Sequence, residues 1–222
     1  VIISELNKLI STLLYEKPSN FSFKVNTFKK TINIIKELDF EIKDAQQLKS
    51  IKGIGKGTMD RIQEILNTGN LKENKTVSKK QNNIDDFNKL QTITGIGPAK
   101  ARQLIEKKIN FDDLINNPTE TMLDELTHHQ LIGIKYYNDI LKRIDRHIIC
   151  DIEEYLNKFD FTFNICGSYR RGKETSGDID ILILKEDKTL KDIVKILTKH
   201  KFIIDNLTEC GETKYMGICK TP

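Results

Sequence analysis

The sequence lacks the features that would indicate a membrane or secreted protein. No apolar run among its 222 residues approaches the length of about 20 that a membrane helix requires, and no signal-peptide pattern opens the chain. It has only 4 cysteines and 4 histidines, without the spacing of a disulfide framework or a zinc site. We therefore expect reduced cysteines, no association with a membrane and an intracellular setting.

Excess charge is also small. The net charge is +4, which does not by itself identify a protein that binds nucleic acid. The lysines are nevertheless concentrated in the first half of the chain, and Lys72, Lys75, Lys79 and Lys80 stand in one polar stretch. This distribution favours a polyanionic partner as much as it favours an ordinary solvated surface.

A pair of aspartates beside an apolar run is the most informative pattern that the sequence does contain. Asp178 and Asp180 flank Ile179, and the run 179–184 predicts a buried strand. Because side chains alternate along a strand, both carboxylates should project from one face. Two carboxylates are costly to bury unless a cation joins them, and oxygen ligands favour Mg²⁺ or Mn²⁺ over Zn²⁺.

The residues just upstream of the aspartates suit a phosphate. Gly167 and Ser168 offer backbone N–H groups and a hydroxyl, and Arg170 and Arg171 offer guanidinium groups. Enzymes that transfer phosphoryl or nucleotidyl groups need carboxylates that bind a metal next to groups that bind a phosphate.

An internal repeat occupies the lysine-rich half. Residues 48–55 and 90–97 both read Leu-x-x-Ile-x-Gly-Ile-Gly, and each is followed by a helical pattern. Glycine tolerates the positive φ of a tight turn, and a helix that starts after such a turn presents bare N–H groups to an anion. Pro98 suits the first turn of the second of these helices. The unit resembles a helix-hairpin-helix, a module that holds the DNA backbone without reading sequence.

The distribution of periodic segments indicates several folding units. Helical patterns fill residues 1–72, residues 73–84 are polar and read as a linker, and a second helical segment follows. Its last helix is expected to run from about Ile140 through Ile144 and Ile148 toward Tyr155. Strand patterns begin only at Phe161.

Together these motifs resemble a family X DNA polymerase of the polymerase beta type, over nearly the whole sequence. The resemblance also rests on residues 126–137 and 211–217. It implies all-α helix-hairpin-helix N-terminal domains followed by an incomplete mixed α/β nucleotidyltransferase palm. The expected parts are a lyase-like domain at 1–77, a linker at 78–84, a second helix-hairpin-helix subdomain at 85–147 and a partial palm at 148–222.

The resemblance assigns roles residue by residue. It implies that Asp178 and Asp180 are catalytic and bind Mg²⁺ or Mn²⁺. The residues expected to bind the incoming nucleotide are Arg143, Gly167, Ser168, Arg171 and Gly177. The residues expected to bind DNA are Lys24, Phe28, Gly53, Gly55, Lys56, Gly95, Gly97 and Ala99. Both hairpin loops are expected to bind a monovalent cation, Na⁺ or K⁺, as in the family.

Two positions depart from the family. Arg61 stands where the family's lyase uses a lysine to form a Schiff base, and Gly57 stands where the family often has another lysine. A guanidinium stays protonated and cannot form a Schiff base. We therefore expect lyase activity to be absent or weak, with Lys24 or Lys56 as the reserve nucleophile.

The expected function is gap-filling DNA synthesis from dNTP in base excision repair, by a monomer acting on gapped or nicked DNA. The expected site of action is the nucleus, or a virion or cytoplasmic replication site if the source is viral. Because the chain starts at Val1 and stops at Pro222, we expect a fragment without the family's third carboxylate and thumb. The alternatives are a template-independent or catalytically inert relative that binds DNA, or another nucleotidyltransferase, although the latter lack paired helix-hairpin-helix units.

Overall fold

The computed structural model describes residues 1–75, 81–184 and 188–222. The chain forms two compact units: Val1–Thr92 with Ile96–Phe111, and Ile93–Gly95 with Asp112–Pro222. The domain boundaries expected above stay a prediction. Residues 78–80 of the expected linker, with Lys79 and Lys80, lie outside the described residues. None of the described helices has the length and apolar character needed to span a bilayer.

The first unit is helical. Its elements are α1 (Ile2–Glu16), α2 (Phe21–Glu37), the 3-10 helix η1 (Ala45–Leu48), α3 (Lys56–Thr68), α4 (Lys72–Lys75), α5 (Gln81–Leu90) and α6 (Pro98–Glu106). The apolar faces of α1 and α2 pack together around Leu6, Leu9 and Phe28. A neighbouring cluster that includes Leu48, Ile54 and Ile62 lies under the first hairpin. The helical patterns of residues 1–72 are thus confirmed.

The expected linker is partly helical. Residues 81–84 form the first turn of α5, so the linker prediction is wrong there. Ile84, Phe87 and Leu90 are buried, at a spacing that places them along one side of the helix. The Phe87 ring meets the Tyr15 ring of α1 at a centroid distance of 5.5 Å. This contact stabilises a helix whose polar composition had suggested a loop.

The second unit is mixed. Its helices are α7 (Phe111–Asn116), of which Phe111 belongs to the first unit, α8 (Glu120–Leu123), α9 (His128–Lys135), α10 (Tyr137–Ile140), α11 (Arg146–Leu156), α12 (Gly167–Arg170) and α13 (Leu190–Lys199). Its strands are β1 (Ile144–Asp145), β2 (Phe163–Ile165), β3 (Thr175–Ser176), β4 (Ile181–Ile183), β5 (Ile203–Asn206) and β6 (Gly217–Cys219). They form antiparallel pairs β1–β3, β2–β4 and β5–β6. The expected class, helical hairpin domains followed by a mixed α/β part, is confirmed.

Two local predictions in this unit are wrong. The helix expected from Ile140 to Tyr155 is interrupted, because Ile144 pairs with Ser176 and the Arg146 N–H donates to the Glu174 carbonyl at 2.9 Å. The strand expected to be buried is shorter than the run 179–184, and 56% of Leu182 is exposed. The core lies on the other face of this ladder, around residues such as Ile152, Leu156, Ile193, Leu197 and Phe202.

Candidate functional site

The two aspartates lie in the connection between β3 and β4. Asp180 immediately precedes β4, and the backbone N–H of Cys166, the residue after β2, donates to the Asp180 carbonyl at 2.7 Å. Both aspartates are exposed, so the expectation that they are buried in a strand is wrong. A cation at this site would therefore not compensate buried charge. The two carboxylates favour a metal only through the chemistry of their oxygen donors.

Gly167 brings the start of α12 against the Asp180 carboxylate. A Cβ placed on Gly167 would overlap Oδ2 of Asp180. The φ angle of Gly167 is +58°, which also favours glycine. The motif had placed Gly167 and Asp180 in one candidate site. The structure adds that the two residues are in direct contact.

Three further candidate residues lie around strand β3. Ser168 Oγ donates to Ser176 Oγ at 2.8 Å. Arg143 donates through Nε to Thr175 Oγ1 at 3.1 Å and through Nη2 to the Thr175 carbonyl at 2.6 Å. A Cβ on Gly177 would stand 3.5 Å from Nη1 of Arg143. Arg143, Ser168 and Gly177 are therefore arranged around one two-residue strand, β3.

Arg171 is positioned differently. It is the C-terminal cap of α12 and is exposed. The four-residue helix α12 separates it from the Gly167 end of the site, and only this closeness in sequence associates Arg171 with Ser168.

A supporting network behind α12 was not expected from the sequence. Arg146 Nη1 donates to the Tyr169 carbonyl at 2.9 Å, and its guanidinium lies 4.3 Å from the centroid of the Tyr169 ring. The Tyr169 hydroxyl donates to Glu153 Oε2 at 2.8 Å and lies 3.3 Å from Cys150 Sγ. The hydrogen bonds with Cys150 and Glu153, with burial, raise the pKa of Tyr169 well above its ordinary value. The hydroxyl therefore remains a donor, and α12 is fixed to α11.

The first hairpin has the geometry expected of a phosphate clamp. Gly53 has a φ of +102°, and Gly55, the N-cap of α3, has no side chain that could cap the helix end. A Cβ on Gly55 would meet nothing within 4 Å. Lys56, the first residue of α3, is exposed. The N-terminus of a thirteen-residue helix is thus accessible to an anion.

The second hairpin repeats this geometry. Gly95 has a φ of +86°, and Gly97 caps α6 without a side-chain bond, with Pro98 in the first turn and Ala99 exposed. A Cβ on Gly97 would also meet nothing within 4 Å. The repeat in sequence is therefore a repeat in backbone conformation.

Residues outside the repeat hold the turn of the second hairpin. Gln130 Nε2 donates to the Gly95 carbonyl at 3.0 Å. A Cβ on Gly133 would overlap the Thr94 carbonyl oxygen, so α9 packs directly on the turn.

Arg61 is held in the first unit by three contacts. Its Nη1 donates to the Gly57 carbonyl at 2.8 Å, its Nη2 lies 2.8 Å from Glu73 Oε1, and its guanidinium lies 5.5 Å from the centroid of the Phe28 ring. Phe28 is buried, and Lys24 is exposed one helical turn before it on α2. The structure thus joins two of the expected site residues, Phe28 and Arg61, and adds Glu73, which the sequence had not indicated.

Three family models match the chain in order. A helix-hairpin-helix domain matches residues 2–71, the fingers domain of DNA polymerase lambda matches residues 88–141, and the DNA polymerase beta palm matches residues 135–222. Their succession agrees with the order of helical and mixed units described above.

Curated relatives agree with these models. The chain is 35% identical to DNA polymerase lambda of Arabidopsis thaliana, over 88% of the chain and 40% of that protein. It is 29% identical to DNA polymerase lambda of Rattus norvegicus, over 88% of the chain and 35% of that protein. It is 24% identical to DNA nucleotidylexotransferase of Monodelphis domestica, over 83% of the chain and 38% of that protein. The chain thus spans less than half of each relative, and these relatives give no support to a viral source.

Proposed function

Because the chain belongs to the family X DNA polymerases, we propose that its protein fills short gaps in DNA. In this reaction the 3′-hydroxyl of a primer attacks the α-phosphate of a dNTP and pyrophosphate leaves, so that a nucleotidyl group is joined to the primer. The reaction takes place during base excision repair in the nucleus, and the protein acts as a monomer. The observation that supports this most directly is the contact of Asp180 with Gly167, next to Ser168. It places a carboxylate beside groups suited to a triphosphate.

Asp178 and Asp180 are the residues that would hold Mg²⁺ or Mn²⁺. Two exposed carboxylates fit Mg²⁺, which is bound through one or two protein carboxylates together with water and phosphate oxygens. Within 1–75, 81–184 and 188–222, no group of three His, Cys, Asp or Glu side chains is arranged as a metal site, so nucleotide oxygens would have to complete the coordination. The metal would lower the pKa of the primer hydroxyl and neutralise charge on the phosphates.

The chain's own cationic and polar groups would orient the triphosphate. Arg143 is fixed by its bonds to Thr175, so little side-chain entropy remains to be lost when it meets a phosphate oxygen. Ser168 already lies beside Ser176 and would exchange that bond for one to phosphate. Arg171 and the backbone of Gly177 would add a charge and an N–H group.

Each hairpin would bind a phosphate of the DNA backbone. The helix N-termini at Gly55 and Gly97 favour phosphates because a glycine N-cap has no side chain to occupy the first N–H groups. Lys24, Lys56 and Ala99 would contribute to the same surfaces, and a monovalent cation would bind at each loop. Such contacts position DNA without reading its sequence.

Lyase chemistry is not part of the proposal. Arg61 is paired with Glu73 and stacked near Phe28, and a guanidinium has no neutral amine with which to attack an aldehyde. Arg61 would contribute charge at the 5′ end of the gap, and Lys24 or Lys56 would supply any residual activity.

Template-independent addition is the nearest alternative, because one relative is a DNA nucleotidylexotransferase. Identity to that protein is 24%, against 35% for the Arabidopsis polymerase, so templated gap filling is preferred. A catalytically inert protein that only binds DNA is the third possibility.

Primer extension on a one-nucleotide gap tests the proposal, in a protein extended to the length of the polymerase relatives. Asp180→Ala should lower Mg²⁺-dependent incorporation by at least about 100-fold while gapped-DNA affinity is retained. Asp139→Asn, which alters an exposed ion pair with Lys142, is the matched control and should leave incorporation unchanged. Full incorporation by Asp180→Ala would refute the site. Equal incorporation without a template strand would favour the alternative.

A further inference from the structure

We propose that Glu73 is a tethered substitute for the 5′-terminal phosphate of a DNA gap. It would hold the Arg61 guanidinium when DNA is absent, and the phosphate would displace it when gapped DNA binds. Glu73 would then set how strongly the protein prefers a phosphorylated 5′ end. This inference rests on the proposed function, because the 5′ end of a gap is part of that function's substrate.

The ion pair joins two helices and uses the chemistry of phosphate recognition. Nη2 of Arg61, in α3, lies 2.8 Å from Oε1 of Glu73, in α4. Carboxylate and phosphate groups both present oxygens that accept hydrogen bonds from the guanidinium fork. Glu73 therefore lies on a side of the Arg61 guanidinium from which a phosphate would approach the same N–H groups.

The guanidinium is fixed independently of Glu73. Nη1 donates to the Gly57 carbonyl at 2.8 Å, and the Phe28 ring lies 5.5 Å away. Loss of Glu73 would therefore leave Arg61 in place instead of releasing it into solvent. An arginine that is already ordered loses less entropy when it binds a new anion.

The pair is weak enough to exchange. The Glu73 side chain is 48% exposed and that of Arg61 is 28% exposed, so solvent screens their attraction. A terminal phosphate carries more negative charge than a carboxylate and has more acceptor oxygens. In addition, Nε of Arg61 is buried and has no acceptor in the part of the chain that the structure describes, so Glu73 does not satisfy the guanidinium completely.

A second cation lies on the same side of α2. Lys24 precedes Phe28 by four residues, which places both on one face of the helix, and Arg61 approaches the Phe28 ring. Lys24 is exposed. A phosphate near Arg61 would therefore gain a second favourable charge, whereas Glu73 is the acidic group that it must displace.

The experiment compares DNA affinities of the 222-residue chain by fluorescence anisotropy. The DNA carries a one-nucleotide gap with either a phosphate or a hydroxyl at its 5′ end. Glu73→Gln should raise the preference for the 5′-phosphate by about two- to fivefold, the range expected for loss of a competing exposed ion pair. Affinity for the 5′-hydroxyl DNA should not change.

Two further variants attribute the effect to the pair. Glu37→Gln removes the same charge from an exposed position at the end of α2 and should leave the preference as in the wild type. In an Arg61→Gln background, Glu73→Gln should no longer change the preference for the 5′-phosphate, because Arg61 is the group for which Glu73 and the phosphate compete. Arg61→Met, which keeps the length of the side chain but not its charge, replaces Arg61→Gln if thermal unfolding shows that the latter does not fold.

The outcomes separate this inference from the proposed function. If the wild type prefers the 5′-phosphate and Glu73→Gln leaves that preference unaltered, the inference is overturned and the proposed function stands. An equal gain for both DNA ends would also overturn the inference, because it would show a general charge effect. If none of the proteins distinguishes the two ends, the inference and the proposed contact with the 5′ end both fail.

Discussion

Asp180 lies so close to Gly167 that any side chain on Gly167 would overlap a carboxylate oxygen of Asp180. The contact joins the start of α12 to the residue before β4. It therefore couples the position of a candidate metal ligand to the conformation of the candidate phosphate loop.

Gly167→Ala is predicted to damage this site. The φ of +58° and the overlap with Asp180 should together cost about 1–3 kcal/mol of stability. Mg²⁺-dependent nucleotide binding should fall at least about tenfold, because Asp180 must move. Thermal unfolding and titration with a fluorescent dNTP measure the two effects.

Gly172→Ala is the matched control for that variant. Gly172 has a φ of +76°, but a Cβ there meets nothing within 4 Å. It should cost about 1 kcal/mol from backbone strain and leave nucleotide affinity nearly unchanged. Equal loss of nucleotide affinity in both variants would show that the overlap with Asp180 has no special role.

Local sequence features predicted much of the fold. The apolar periodicity of α1, α2 and α3 was sufficient because each helix buries one continuous face. The positive φ angles of Gly53 and Gly95 could be inferred because a Gly-Ile-Gly turn between helices requires them. These features depend on residues close together in the chain.

Features that depend on distant residues were missed. α5 is stabilised by the contact of Phe87 with Tyr15, and β1 exists because Ile144 pairs with Ser176. In each case the partner lies far away in sequence, so local polarity and helical period favoured the wrong assignment. The motif singles out the aspartate pair as a candidate site, but the exposure of the two side chains depends on what packs over the loop, which no local pattern reports.

Glu5 is predicted to be a stability determinant of the first unit. It is 5% exposed and accepts bonds from Lys8 Nζ at 2.7 Å, the Leu71 N–H at 3.1 Å and Asn74 Nδ2 at 2.9 Å. Burial alone would raise the pKa of Glu5, but the bonds from Lys8, Asn74 and Leu71 outweigh it and lower the pKa below 4.5. Glu5→Gln should cost about 1–3 kcal/mol at pH 7.

The pH dependence gives a second test of Glu5. Because the folded pKa is lowered, the carboxylate stabilises the fold above pH 4.5, and this contribution is lost as pH falls through the folded pKa. The stability difference between wild type and Glu5→Gln should therefore shrink below pH 4.5 in urea unfolding experiments. Glu37→Gln should stay within about 0.5 kcal/mol of the wild type at neutral pH. A constant difference for Glu5→Gln at all pH values would contradict this assignment.

Arg61 is predicted to make the chain a poor lyase. Borohydride trapping on DNA with an abasic site should give little covalent adduct, because the guanidinium cannot form an imine. Arg61→Lys should raise the yield by placing an amine near Phe28, and Arg61→Gln is the control that provides no amine. A strong wild-type adduct that is lost in Arg61→Ala but kept in Lys24→Ala and Lys56→Ala would show that this account is wrong.

The open helix ends of the two hairpins lead to the last prediction. Gly55→Ala and Gly97→Ala should each cost no more than about 1 kcal/mol of stability, because a Cβ at either position meets open space. DNA affinity should nevertheless fall about five- to tenfold in each variant, since the methyl group stands where a phosphate must approach the N–H groups.

The slope of log affinity against log salt should not change, because a neutral donor releases no counterion. Lys24→Ala should instead lower that slope by about one, so the salt dependence distinguishes backbone clamps from charged contacts. Unchanged DNA affinity in both glycine variants would mean that the hairpins do not hold the backbone through these helix ends.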